Sequence, residues 1–447
     1  MKSPLLRFLA PAIILLSSVS AFAQDGTTGK TPVIVIPGIT GSTLFNKKTD
    51  EEVWFKLFRP KGDDIRLPID PILERNHDDL EARDIVRGIK ILNFLPEIEI
   101  YNRLIYALEE RGGYHEAKFD APGEEGFQDT FYVFPYDWRL DNVDNARLLI
   151  RKIESLKDKL KRPNLKFNIV AHSMGGLIAR YAAMYGDAVL PYGKVVPTWA
   201  GSKHLDKIFL LGTPNEGSIL SLRGVTQGYS ISSGIPLPLI QNFDRFDVFT
   251  IPTVYQLLPL SNSLVVYDEN FQKLPIDIFD LSVWDKYDWS IWKDKDFEKE
   301  FDKEEQKNAR PFLAAALRRA KRFQEALMVP RNGKIPVTFY MIGGDCKDTP
   351  IAAMVVYDKK KERWETIIRP KSFTRTDGTK VSEDEVKAKL SGKGDGTVAL
   401  QSLLMDNIPK EERDKFLPIA GGMFQCEDHT RLVTSSEVQD KLLSLLK

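Results

Sequence analysis

The sequence predicts an α/β fold: a mostly parallel central sheet, covered by helices on both faces and interrupted by one inserted cap. Short apolar, β-branched runs alternate along the chain with longer stretches of helical periodicity, the pattern of strand–helix–strand units. The runs are continuously apolar rather than alternating, as strands buried on both faces require. From Asn215 to about Leu327 the alternation ceases, which sets an insert apart from the sheet.

Each element has its own local reason. Residues 31–37 (TPVIVIP) form a β-branched run ending in Pro-Gly, a strand followed by a tight turn. Residues 100–111 are apolar at helical spacing and stop at Gly112-Gly113. Residues 130–134 (TFYVF) read as a strand, and 141–160 as a helix with an Asp start and a basic end. The strand at 165–170 (LKFNIV) leads into a small-residue helix over 175–185. The strand at 206–211 (DKIFLL) runs into Gly212-Thr213-Pro214, and the strand at 336–342 (PVTFYMI) into Gly343-Gly344. A last short strand is expected at 417–420 and a closing helix at 435–446.

The insert, residues 215–327, opens with Gly/Ser/Pro-rich loops over 228–238. Scattered Trp and Tyr follow, then a mixed-charge run over 293–307 that reads as a solvated helix face, then an amphipathic helix over 311–327. The core is expected in two parts, 24–214 and 328–447. Within the second part, residues 352–370 read as an exposed β-hairpin around Asp358-Lys359-Lys360-Lys361.

The first 23 residues form a separate case. Lys2 and Arg7 precede or flank a short apolar run, and Ala21-Phe22-Ala23 is a small-residue cleavage pattern, so a signal peptide cut after Ala23 is expected. The run is short for a bilayer span of ~20 residues. The mature chain is expected to be soluble and secreted or periplasmic. Losing Lys2 and Arg7 takes the 63 basic residues to 61, against 63 acidic. A net charge this close to zero offers nothing to nucleic acid. In an exported chain Cys346 and Cys426 are either a disulfide or two buried thiols, and the fold favours the bond by placing both at the same end of neighbouring strands.

The chemistry starts from Ala171-His172-Ser173-Met174-Gly175. Strand, x-x-Ser-x-Gly, helix is the setting of the nucleophile elbow of α/β-hydrolases. The strained turn needs small neighbours, and Ala171 meets that need where Gly is usual. The Met174 N–H then faces any developing oxyanion. Five histidines compete for the base. His77 and His115 precede the serine, His172 adjoins it, and His204 leaves no room for an intervening acid. His429, in a loop after the last strand, remains. For the acid, Asp395 in Gly394-Asp395-Gly396-Thr397-Val398 competes with Asp345 after Gly343-Gly344. A second oxyanion donor is expected in Pro37-Gly38-Ile39-Thr40-Gly41-Ser42, at the Ile39 N–H. No phosphate-binding glycine motif is present, and His and Cys are too scattered for a metal cage, so no cofactor and no metal are expected.

Six segments together resemble the lecithin:cholesterol acyltransferase family, which includes lysosomal phospholipase A2-type and phospholipid:diacylglycerol acyltransferase enzymes. They are Val35-Ile36-Pro37-Gly38-Ile39 with Ser42, Phe134-Pro135-Tyr136-Asp137-Trp138-Arg139, Ala171-His172-Ser173-Met174-Gly175-Gly176, Gly212-Thr213-Pro214 with Gly217-Ser218, Gly394-Asp395-Gly396-Thr397-Val398, and His429. Their order and span, roughly residues 32 to 430, follow the family, and Pro-Tyr-Asp-Trp-Arg is the most discriminating. The resemblance implies a Ser173, Asp395, His429 triad, oxyanion donors at Ile39 and Met174, and a mobile lid over about 219–246. It implies a lipid acyl-ester substrate, with hydrolysis or acyl transfer as outcome and transient contact with a lipid interface. Trp54 and Trp138 are the candidate lipid contacts. The segment Trp54-Phe55-Lys56-Leu57-Phe58 reads either as an interfacial patch or as a buried amphipathic stretch, and Tyr136-Asp137-Trp138-Arg139 also as a structural corner. Two other functions fit the residues: an esterase or lipase on neutral esters, and a degenerate hydrolase fold used as a binding protein.

Overall fold

A computed structural model describes residues 29–56, 65–89, 98–191, 193, 195–229, 243–331 and 333–447. The expected leader, part of the lid segment (230–242), and Leu57 and Phe58 lie outside the described residues. Seven strands form one parallel sheet: β1 Val33–Ile36, β2 His115–Glu116, β3 Thr130–Val133, β4 Phe167–His172, β5 Leu205–Leu211, β6 Thr338–Gly344 and β7 Ile419–Gln425. Their spatial order is β7-β6-β5-β4-β1-β3-β2, and every neighbouring pair is parallel. This is the α/β-hydrolase fold.

The apolar runs are explained by burial on both sides. Ile34 and Ile36 of β1 point into one hydrophobic layer, and Val33 and Val35 into the other. On the first face pack helix α1 (Asn142–Lys159) and helix α2 (Met174–Tyr185). On the second lie the Asn102–Tyr106 helix and helix α4 (Ser436–Leu446), whereas α3 (Lys303–Leu327) of the insert packs into the first layer. The Asp141 carboxylate caps α1 by accepting from Val143 N–H, and Lys157 and Lys159 sit at its last turn, where the helix dipole favours cations. Every residue of α2 is buried, and its glycines allow that depth: a side chain at Gly176 would run into Thr213.

The strand order places the site. From β1 the chain goes to the edge strand β2 and returns to β3 between β2 and β1, then β4 starts on the other side of β1 and the sheet grows through β5 and β6 to β7. The reversal opens a crevice beyond the C-terminal ends of β1 and β4, the usual place for a ligand in an open parallel sheet. The Gly38 loop and Ser173 both leave the sheet there.

Three expectations change. The last strand is Ile419–Gln425, later and longer than 417–420, because Gly421-Gly422 weakens its strand signal. The close approach to β6 requires that glycine, since a Cβ at Gly422 would collide with the Met341 carbonyl. The solvated helix face expected over 293–307 and the amphipathic helix expected over 311–327 merge into one helix that begins at Lys303: Asp302 and Glu305 form a capping box, and Pro311 lies on the exposed side, where its missing N–H bond faces water. The hairpin is not an exposed excursion. Its strands, Ala353–Asp358 and Arg363–Ile367, pair with each other, and the first also pairs with Val266–Tyr267 of the insert. Ala353, Met354 and Val355 are buried, and the Trp289 indole N–H donates to Thr366 Oγ1.

Candidate functional site

Ser173 sits between β4 and α2 with φ 54° and ψ −126°, a conformation that L side chains rarely adopt. Its neighbours are arranged to permit the turn. A Cβ at Gly175 would come within 2.5 Å of the Pro37 carbonyl, and one at Gly38 within 2.9 Å of Ser173 Cβ. The Ser173 N–H donates to the Leu211 carbonyl at 2.7 Å, which ties the turn to β5.

The structure brings Ser173, His429 and Asp395 into one line. His429 Nε2 lies 2.9 Å from Ser173 Oγ, and His429 Nδ1 lies 2.7 Å from Asp395 Oδ2. Exposure is 8% for Ser173, 9% for His429 and 2% for Asp395, so the line is largely shielded from water. Burial pushes the Asp395 carboxyl upward, but the His429 imidazole and the N–H groups of Val398 and Thr397 outweigh it and hold the group below its usual range. An ionised Asp395 fixes the imidazole with its Nδ1 proton toward the acid and its Nε2 free to accept from serine. The His429 N–H also donates to the Asp395 carbonyl at 2.9 Å, so the two residues are joined through backbone as well.

Glycines make the room. At Gly344 a Cβ would fall 2.6 Å from Asp395 Cβ; at Gly212 it would fall 3.0 Å from His429 Nδ1 and 3.1 Å from Asp395 Oδ2. The Gly343-Gly344 exit thus serves Asp395 rather than Asp345, whose N–H donates to the Gln425 carbonyl. A disulfide joins Cys346 to Cys426 with their Cα atoms 5.0 Å apart. It connects the exits of β6 and β7, three residues before His429 on the second side.

The Ile39 N–H makes no hydrogen bond among the described residues. The N–H of Met174 belongs to the first turn of α2, which has no intrahelical acceptor. Trp54 and Trp138 are buried, not displayed. Their indole N–H groups donate to the carbonyls of Thr40 and Ser42, and their rings lie 5.6 Å apart. Both also pack on Phe243, at 5.1 and 5.8 Å. Tyr136 Oη donates to the Pro37 carbonyl, and Arg139 is buried between Asp137 and Asp78. The Pro-Tyr-Asp-Trp-Arg corner therefore buttresses the Gly38 loop. At the described ends of the expected lid, Tyr229 and Phe243 exchange two backbone hydrogen bonds of 3.0 Å.

The other histidines lie elsewhere in the bonding scheme. His115 bonds Thr130, His204 lies against Glu154 and Lys157, and His172 turns away from Ser173. Nothing in the sequence singles out Tyr101. It accepts from the Gly38 N–H and bonds the His172 ring, but in the sequence it is one more aromatic in an apolar helical stretch.

The chain is 24% identical to an uncharacterised protein of Saccharomyces cerevisiae over 254 residues, which are 56% of this chain and 32% of that one. The chain thus spans about a third of the length of that relative. Among solved structures, the Tle4-Tli4 complex contains a chain with a TM-score of 0.55 and 14% identity, covering 93% of this chain and 98% of its own. The mature lipase BlEst2 of Bacillus licheniformis gives a TM-score of 0.37 at 12% identity, covering 94% and 93%. The family description lecithin:cholesterol acyltransferase matches residues 123–415, about two thirds of the chain, a stretch that holds Ser173 and Asp395 but neither Ile39 nor His429. By that match, the chain belongs to the lecithin:cholesterol acyltransferase family.

Proposed function

We propose that the protein is a serine-dependent lipid acyl-ester hydrolase or O-acyltransferase that works through an acyl-enzyme. The observation carrying this is the unbroken line of hydrogen bonds from Asp395 through His429 to Ser173, in a chain of this family. Ser173 Oγ attacks the ester carbonyl while His429 Nε2 takes its proton. The oxyanion is met by the N–H groups of Ile39 and Met174. His429 then returns the proton to the leaving alcohol, and water or an acceptor alcohol, deprotonated by the same imidazole, releases the acyl group. Asp395 stays ionised and stabilises the imidazolium. The substrate class is a glycerophospholipid ester. An exported site of action accords with the Cys346–Cys426 bond, since disulfides persist in oxidising compartments.

A fluorophosphonate probe tests the nucleophile. The wild type is expected to label and Ser173→Ala to remain unlabelled while keeping the wild-type circular dichroism. A folded wild type that does not label removes the reading. Asp395→Asn is expected to lower kcat by about 10³- to 10⁴-fold, with Asp345→Asn far milder. Release of fatty acid from phospholipid, with little from triacylglycerol, supports the substrate class. The reverse preference makes the protein a neutral lipase.

A further inference from the structure

The Gly38 loop and the His429 loop leave the sheet from different strands, yet one string of buried hydrogen bonds joins them without passing through Ser173. The Gly38 N–H lies 2.8 Å from Tyr101 Oη, Tyr101 Oη lies 2.9 Å from His172 Nδ1, and His172 Nε2 lies 3.1 Å from the His429 carbonyl oxygen. Elementary valence fixes every proton. A carbonyl only accepts, so His172 carries its proton on Nε2. A neutral imidazole then has a bare Nδ1, which accepts from the Tyr101 hydroxyl, and the Tyr101 oxygen accepts from Gly38. Burial supports these states, since it lowers His172 to about 3 and raises the Tyr101 phenol well above its usual range. Neither Tyr101 nor His172 bonds the Ser173 hydroxyl or the His429 ring nitrogens, so neither moves a proton in the reaction.

We infer that Tyr101 and His172 are positioning residues, setting the oxyanion loop at Gly38-Ile39 against the main chain of the base His429 through one relay of fixed polarity. The inference rests on the proposed roles of Ser173, His429 and Ile39. The peptide that carries the Ile39 N–H begins at Gly38, so a shift of Gly38 re-aims that donor. Misplacement of a catalytic group by about 1 Å is worth up to about 100-fold in rate.

Tyr101→Phe keeps the ring and removes the oxygen that both Gly38 and His172 use. On a soluble p-nitrophenyl ester, well below the melting temperature, kcat is expected to fall roughly 10- to 100-fold with KM within about twofold. A boronic acid, whose tetrahedral serine adduct needs the oxyanion donors, is expected to bind weaker by a similar factor. His172→Phe is expected to cost as much, and His172→Gln, which keeps an amide N–H to offer the His429 carbonyl, to recover part of the loss. The double variant Tyr101→Phe with His172→Phe is expected to be no slower than the worse single variant, because one relay is broken only once. Losses that multiply, or a Tyr101→Phe enzyme with wild-type kcat and a lowered melting temperature, overturn the relay. End-point fluorophosphonate labelling separates the two levels. If wild type and Tyr101→Phe both label fully, the nucleophile reading stands and the rates judge the relay alone; if the wild type does not label, both fall.

Discussion

His172 is held neutral in a buried position, and that has a pH signature. Its imidazole titrates near 3 in the fold, because burial penalises the cation and the neighbouring His429 adds to the penalty. In the unfolded chain it titrates near its ordinary value of about 6.5. As pH falls from 6.5 toward 3, the unfolded state binds a proton that the folded state refuses, so stability drops with falling pH. The loss from this one group approaches about 1.4 kcal/mol per pH unit. Urea unfolding at pH 7 and pH 5 is expected to show the wild type losing about 2 kcal/mol more than His172→Gln, which has nothing to titrate there. Equal losses in the two proteins would mean that His172 is not held neutral. The sequence made Ser173 and His429 legible, one by its strand–turn–helix setting and the other by elimination. Its local rules favour Asp395 over Asp345 only modestly, because either turn satisfies them, and the family resemblance is what selects Asp395. The space left by Gly344 and Gly212 separates them, and that space is tertiary.

Among the elements, the exits of β6 and β7 deserve a separate test. The Cys346–Cys426 bond closes a sequence separation of 80 residues, and within that span lies the Asp395 turn. Cross-linking such a loop removes unfolded-state entropy worth roughly 4 kcal/mol in the chain-entropy model, with 2–4 typical of measured cases. The double variant Cys346→Ser, Cys426→Ser is expected to unfold at lower urea concentration and to lose activity before it loses secondary structure, because the bond braces the β7 exit just before His429. Activity that survives reduction at full strength would show that the remaining bonds suffice, among them the Lys347–Asp428 ion pair. The longer strands and helices were readable because burial on two faces and capping are local patterns. β2, two residues long, is not legible and β7, diluted by glycine, is legible only at its start, since pairing with a neighbour defines them rather than composition. The capping box at Asp302 is a local signal for the start of α3 inside the charged run, and Pro311 masks the continuity of that run with the amphipathic stretch after it.

At the scale of the molecule, the insert is not a separable lobe. One hydrophobic cluster runs from Ile34 and Ala171 of the sheet through Met174 to Phe249, Trp284 and Phe312 of the insert. A continuous core unfolds as a unit. Tryptophan fluorescence, which sees both Trp138 in the core and Trp284 in the insert, is expected to give the same urea midpoint as far-ultraviolet circular dichroism. Two distinct midpoints would show that the insert melts independently. Ser173 and its hydrogen-bond partner His429 lie far apart along the chain. The turn at Ser173 is set by Gly175 close by and by the more distant Gly38 and Leu211, whereas its contact with His429 spans 256 residues of sequence. Contacts of such separation are slow to form, because loop closure precedes their reward. The Ser173–His429 contact therefore forms only once nearly the whole sheet is assembled. Chemistry that needs this contact is then a property of the finished topology, and a chain with native-like secondary structure but an undocked β7 lacks it.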